Sequence, residues 1–153
     1  MIRAWRIVKA KHAIHAFDGE GSRLYGSRWN SPGVRVVHVS ATLSLATLEI
    51  IAHLQGSTLL SHYVAFFVEF DGSFVERINI AELPADWRNS PPPSTVRQIG
   101  DLWVRGSSSP ILEVPSALIP SEVNYLLNPS HADFSRIVLS SQLPLDVDPR
   151  VFR

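Results

Sequence analysis

Apolar and polar positions along this chain come in short bursts, and the period of the bursts changes from one stretch to the next. "AWRIVKA" (4–10) is an apolar stretch with polar interruptions and predicts a first strand. "VRVVHVS" (34–40) is compact and β-branched and predicts another. It would place Val34, Val36, His38 and Ser40 on one face and Arg35, Val37 and Val39 on the other. "HYVAFFVEFDG" (62–72) carries the strongest strand signal and is followed by a strand-like "FVERINI" (74–80). Between the first two strands, residues 12–33 read as a long loop with room for one helical turn.

Helical spacing appears twice. "TLSLATLEIIAHLQG" (42–56) predicts a helix with Ser40 or Thr42 as cap, Gly56 at its end, and Leu45, Leu48 and Ala52 as a buried stripe. Glu49 falls at the edge of that stripe. "STVRQIGDLWVRG" (94–106) predicts a second helix, capped by Ser94, with Gly106 just past its end. Residues 83–93 are an irregular, Pro-rich connection, too short and too aromatic for a domain linker. Residues 107–120 are extended pieces broken by Pro110, Pro115 and Pro120, and 122–134 read as a turn or short helix ended by Asn128-Pro129. Strand-like segments close the chain over 136–148. The sum is an α+β, or mixed α/β, fold: one domain over 1–153 with a partly antiparallel sheet and a few helices.

Composition narrows the function. A chain of 153 residues is the size of one domain with an ample core. Cysteine is absent, which excludes disulfides, thiolate zinc sites and cysteine nucleophiles and suits a reducing cytoplasm, the expected location. No apolar run approaches the roughly 20 residues that span a bilayer. The basic start lacks the apolar core of a signal peptide and is read as mature protein. Lys+Arg and Asp+Glu balance at 14 each, so neither nucleic acid nor a membrane surface is an expected partner. Only Lys9 and Lys11 are lysines. The arginine bias suits a phosphate-bearing ligand, and GC-rich coding accounts for it equally.

No metal site is expected. His12 and His15 lack a third ligand, and Glu49 with His53 makes only half of a helical site. Phosphate-cradling glycine loops and the GxSxG elbow are absent. The unusual stretch is "GSRWNSPG" (26–33), which sets an arginine, an indole and an amide on a Gly-flanked bend. Arg28 there can fork onto a diphosphate, with His38 and Ser40 on the next strand and Glu49 on the next helix around one cleft. An Arg28 salt bridge, a buried Trp29 and a solvated Glu49 would produce the same spacing. Ser116, taken by itself, reads as an ordinary strand-end serine after Pro115.

The stretch "FDGEGSRLYGSRWNSPGVRVVHVSATLSLATLEIIAHL" resembles the signature of the RES domain: a "GxGA" stretch, "GGRWN", a strand ending Tyr-Thr-Ser, and a helix with "LAxLE". "VPSALIPSEVNYLLNPSH" (114–131) is similar to the family's "VPSxxxPxExNxLxNPxH", and "PLDVDPRVF" to its usual close. The resemblance spans nearly the whole chain.

It implies a toxin of a bacterial RES–Xre toxin–antitoxin pair, with a fold like that of the ADP-ribosyltransferase toxins, that consumes intracellular NAD. NAD is then the substrate, and no cofactor is implied. By motif position the family arginine falls on Arg28, the glutamate on Glu49, the serine on Ser116, and a first-strand arginine on Arg6. A tyrosine falls on His38, which is a departure; Ser22 for alanine and Ser27 for glycine are milder ones. The expected roles are Glu49 stabilising positive charge at the ribose, Arg28 and Arg6 holding the diphosphate, His38 touching the ligand, and Ser116 positioning the nicotinamide end or the acceptor. Trp29 and Asn30 are expected to be loop scaffolding, and Asn124, Asn128 and His131 to hold a turn behind the site. His38, with an ordinary pKa near 6.5, is expected to make activity depend on pH between about 6 and 8. The implied partners are a homodimer mate and an Xre-type helix-turn-helix antitoxin. Glycohydrolase or phosphorylase chemistry, protein ADP-ribosyltransfer, and an inactive RES-like partner of an Xre-family regulator are the alternatives.

Overall fold

The computed structural model describes residues 1–54 and 60–152. Eight strands form one sheet in the order β4-β5-β6-β2-β1-β3-β7, with β8 also paired to β3. The strands are β1 (Ile2–Lys9), β2 (Val37–Ser40), β3 (Tyr63–Phe70), β4 (Val75–Arg77), β5 (Ile111–Pro115), β6 (Val123–Leu127), β7 (Val138–Leu139) and β8 (Leu143–Pro144). Among the described residues β4 and β5 run parallel and the other pairs are antiparallel. The mixed sheet expected from the sequence is therefore present.

Among the described residues three α-helices accompany it: α1 (Glu20–Tyr25), α2 (Leu43–His53) and α3 (Ser94–Gly106). Thr42 caps α2 by accepting the Leu45 N–H at 3.0 Å, as its position suggests. Gly56, expected to end this helix, lies outside the described residues; the helix stops at His53. Its buried side differs from the expected stripe. Leu45 and Ala46 are buried, while Leu48 and Ala52 face solvent. Leu43, Ala46, Ile50 and Leu54 instead pack with Ile7, Leu60 and Tyr63. Apolar residues occur around most of this helix, so the spacing alone permits two stripes, and contact with β1 and β3 selects between them.

Residues 122–134 are also corrected. Val123–Leu127 is not a turn or helix but a strand, enclosed between β2 and β5. A central strand with neighbours on both edges and cover on both faces loses the alternation that would identify it. At α3, Ser94 is the first helical residue and not the cap, which is Pro93; the helix ends through Ser107 in the left-handed region. Two core clusters meet at the sheet. Ala4, Val37, Val39, Val68, Phe70 and Tyr125 form one, and Trp29, Trp87, Val96, Trp103, Leu112 and Leu126 join loop 26–33 and α3 to the sheet.

Candidate active site

Glu49 is held by one of its two oxygens. Oε1 accepts the Ser116 hydroxyl at 2.8 Å and the Asn124 side-chain amide, also at 2.8 Å. Among the described residues no donor is bonded to Oε2. The local sequence explains the meeting. β2 runs straight into the Thr42 cap, so Glu49 projects from the second turn of a helix launched from the sheet. Asn124 sits on β6 opposite Ser40 and opposite Val114, two residues before Ser116.

Ser116 is fully buried. Its Oγ accepts the N–H groups of Leu118 and Ile119, each at 3.2 Å, which leaves its single proton for Glu49. The hydroxyl is thus spent on orienting the carboxylate. Asn124 was expected behind the site and is instead part of it. Asn128 and His131 do hold the turn: Asn128 Oδ1 accepts the Ser130 N–H at 3.0 Å, and His131 bridges Ser107 O and the Asp133 N–H, both at 3.0 Å.

Arg28 lies close enough to Glu49 and Arg88 for both to act on its charge. Partial burial holds its pKa below the ordinary arginine value, Glu49 opposes that shift, and Arg88 adds to it. Its Nη1 donates to Trp87 O and Asn89 O, each at 2.8 Å. Nε and Nη2 have no bonded acceptor among the described residues, so one edge of the fork is available. No salt bridge consumes it there. Arg88 donates through Nε to Ala117 O at 2.9 Å, next to Ser116, and so stands at the same site. Its place in an irregular Pro-rich segment gave no signal in the sequence beyond the "DWRN" cluster itself.

The arginine loop is gripped by one face of α3. Arg97 Nε donates to Ser27 O at 3.1 Å, and Asp101 accepts the Ser31 N–H at 2.8 Å and the Ser31 hydroxyl at 2.6 Å. Between them, a Cβ on Gly100 would fall 1.8 Å from Trp29 O, so only glycine permits this approach. Asn30 is fully buried and donates to the carbonyls of Ser22, Ser31 and Val34 at 3.1–3.3 Å. Trp29 packs on Trp87 with ring centroids 6.0 Å apart. Both therefore scaffold the loop.

Arg6 and His38 form a neighbouring group. Arg6 donates through Nε to Ala16 O and through Nη1 to His38 O, the latter at 2.9 Å. Burial lowers its pKa to about 10, with Asp18 opposing, so it stays cationic at neutral pH. The His38 ring lies between Ser22 and Ser27, at 3.4 and 3.0 Å. Burial, then Arg6, then His53 push its pKa down to about 3. The expected titration between pH 6 and 8 is therefore corrected: enclosure beside a cation keeps this imidazole neutral over that range.

A surface cavity of about 440 Å³ lined by Lys9, Ala10, Lys11, Ser61, His62 and Tyr63 contains none of these residues. Among the described residues no three His, Asp or Glu side chains converge as a metal set, and no helix is long and apolar enough to cross a membrane.

The profile of the RES domain matches residues 3–148. The chain is 38% identical over 149 residues to "Toxin Res" of Yersinia enterocolitica, covering 96% of this chain and 97% of the relative. It is 30% identical over 154 residues to the "Prs ADP-ribosylating toxin" of a Sphingobium species, covering 97% and 96%. A chain of the crystal structure of the M. tuberculosis MbcT–MbcA toxin–antitoxin complex shares the fold, with a TM-score of 0.73, 17% identity, and coverage of 94% of this chain and 83% of that one.

Proposed function

The chain belongs to the RES domain family, and from that membership we propose that it is the toxin of a toxin–antitoxin pair and that its reaction cleaves the nicotinamide–ribose bond of NAD. The observation that carries the chemistry is a carboxylate fixed through one oxygen by Ser116 and Asn124, with a half-free arginine fork within electrostatic reach.

When the glycosidic C–N bond breaks, its electron pair moves to the pyridinium nitrogen and nicotinamide leaves neutral. Positive charge then develops at the ribose. A preorganised carboxylate stabilises that charge without reorganising. Glu49 supplies it through Oε2, because Oε1 is already satisfied twice. Ser116 and Asn124 position Glu49. Arg28 presents Nε and Nη2 to the diphosphate, and Arg88 adds positive charge beside it. Arg6 contributes further positive charge, and the neutral His38 ring, whose main-chain carbonyl Arg6 holds, stands against the Arg28 loop at Ser27.

The direct test follows free nicotinamide after purified protein is mixed with NAD. The reading expects release by the wild type and its near-abolition in Glu49→Gln. A chain that leaves NAD intact is not an NAD-consuming enzyme. Transfer of ADP-ribose to a protein acceptor is a second reading, favoured by the name of the Sphingobium relative. Mass spectrometry of the products with water, inorganic phosphate or lysate protein as acceptor separates transfer from hydrolysis and phosphorolysis. An antitoxin partner belongs to the same reading, supported by the toxin–antitoxin complex that shares the fold; an Xre-type antitoxin and a homodimeric state are the finer parts of the proposal and rest on the family resemblance alone. Co-purification with the product of an adjacent helix-turn-helix gene tests that part.

A further inference from the structure

Ser22, Ser27 and His38 stand at three places where the chain departs from the RES pattern, and both serines touch the histidine ring. Ser27 Oγ approaches His38 Nε2 at 3.0 Å, and Ser22 Oγ approaches Nδ1 at 3.4 Å. The neighbouring hydrogen bonds fix where the protons lie. Ser27 Oγ donates to Asn30 Oδ1 and accepts the Trp29 N–H at 3.2 Å. Its one proton is thereby used, so the bond to His38 requires a proton on Nε2. Nδ1 is then the acceptor and takes the Ser22 hydroxyl proton. The ring's own backbone carbonyl meanwhile accepts from Arg6. The charged or titratable groups acting on the ring are Arg6 from β1 and His53 from α2, and neither favours an imidazolium.

We propose that Ser22, Ser27 and His38 form a matched set that fastens the Arg28 loop to strand β2 through a neutral, Nε2-protonated imidazole, so that His38 is a positioning residue for Arg28. The functional half of this inference rests on the NAD reading above; the structural half does not. Ser27 is the residue immediately before Arg28, and Asn30, its other partner, is wholly buried. A shift of Ser27 therefore moves the guanidinium. An alanine and a glycine in place of the serines leave room for a phenol. With the serines present, a tyrosine meets two hydroxyls in a space shaped for a smaller ring.

Two measurements test the set. The first is ¹⁵N spectroscopy of the histidine rings in the wild-type protein. The expected result is an Nε2-protonated neutral His38 that does not titrate between pH 5 and 8. An Nδ1-protonated ring, or a midpoint within that range, overturns the proposal. The second compares His38→Tyr, the pair Ser22→Ala/Ser27→Gly, and the triple variant, by thermal melting and by nicotinamide release. Each partial change is expected to lower the melting temperature and raise KM for NAD about 3- to 10-fold, the size of one lost hydrogen bond, with kcat little changed. The triple variant is expected to recover most of both losses. Losses that simply add in the triple variant overturn the matching. If the wild type releases no nicotinamide, the NAD reading fails, and ring spectra and melting temperatures still decide whether the set exists.

Discussion

Ser116 gives its hydroxyl proton to Glu49 at 2.8 Å while two main-chain N–H groups, of Leu118 and Ile119, occupy the same oxygen. Turning the hydroxyl away would break its bond to Glu49. This gives Ser116→Ala a double signature. Removing the oxygen orphans two N–H groups and is expected to cost about 1–3 kcal/mol in denaturant unfolding. It also frees the carboxylate, so kcat should fall while KM changes little. Unchanged kcat in a destabilised variant would make Ser116 structural only.

Glu49→Gln isolates charge from shape. The glutamine oxygen can still accept from Ser116 and Asn124, and the amide replaces the unbonded oxygen. The melting temperature should therefore stay near that of the wild type, while turnover falls about 10²–10³-fold, as for loss of one aimed electrostatic group. Turnover at the wild-type level removes the carboxylate from the mechanism.

Arg28→Lys keeps a charge and loses geometry. Nη1 spans the carbonyls of Trp87 and Asn89 while the other edge stays available, and a single ammonium cannot do both. A rise of roughly tenfold in KM for NAD is expected, the equivalent of about 1.4 kcal/mol. Equilibrium binding of NAD to the inactive Glu49→Gln background, with and without this change, measures it directly. Equal affinities would assign Arg28 to the scaffold.

Gly100→Ala should be among the most damaging single changes. Its Cβ would lie 1.8 Å from Trp29 O, and the obstacle is main chain, not a movable side-chain tip. We expect a loss of more than about 3 kcal/mol, beyond ordinary overpacking. Chemical denaturation quantifies it, and tryptophan emission reports whether Trp29 leaves its packing on Trp87.

The lowered pKa of His38 sets a pH signature. In the unfolded chain this ring binds a proton near pH 6.5, and in the folded protein only near about 3. Between those values the unfolded state holds more protons, so stability falls as the pH drops from about 6.5 toward 3, by at most about 1.4 kcal/mol per pH unit from this residue. Above pH 6.5 both states are neutral and the ring contributes no slope. Melting curves of the wild type and the triple variant should therefore diverge in acid and run parallel from pH 7 to 8. Parallel curves at all pH values would mean that the ring is as free to protonate as in the unfolded chain.

Arg28, Glu49 and Ser116 lie in three distant segments, and the resemblance to the RES pattern, more than spacing, singles them out; the structure brings Ser116 onto Glu49 and Arg28 within electrostatic reach of it. Asn124 escaped because an asparagine four residues before Asn128-Pro129 reads as turn chemistry. Only the pairing of β6 with both β2 and β5 shows that the segment is a strand whose amide meets Glu49. Arg88 escaped for a related reason: a loop arginine acquires meaning only from what the loop lies against. The pH dependence expected of His38 uses the reference pKa of an exposed ring, and the burial that lowers it is a property of the fold. The α2 stripe was ambiguous because apolar residues flank it on two sides.

α3 holds the arginine loop through Ser27 O, the Ser31 N–H and the Ser31 hydroxyl, with Trp29 O lying against Gly100. The path of the loop is thereby set by its main chain and Ser31, and the side chain at position 28 is not one of the points of attachment to the helix. A scaffold of this kind separates where a reagent is carried from which reagent it is. Loop grafts that keep Gly100, Asp101 and Asn30 should hold their course with a different group at position 28, which makes this bend a place where new ligand chemistry could be installed without rebuilding the protein.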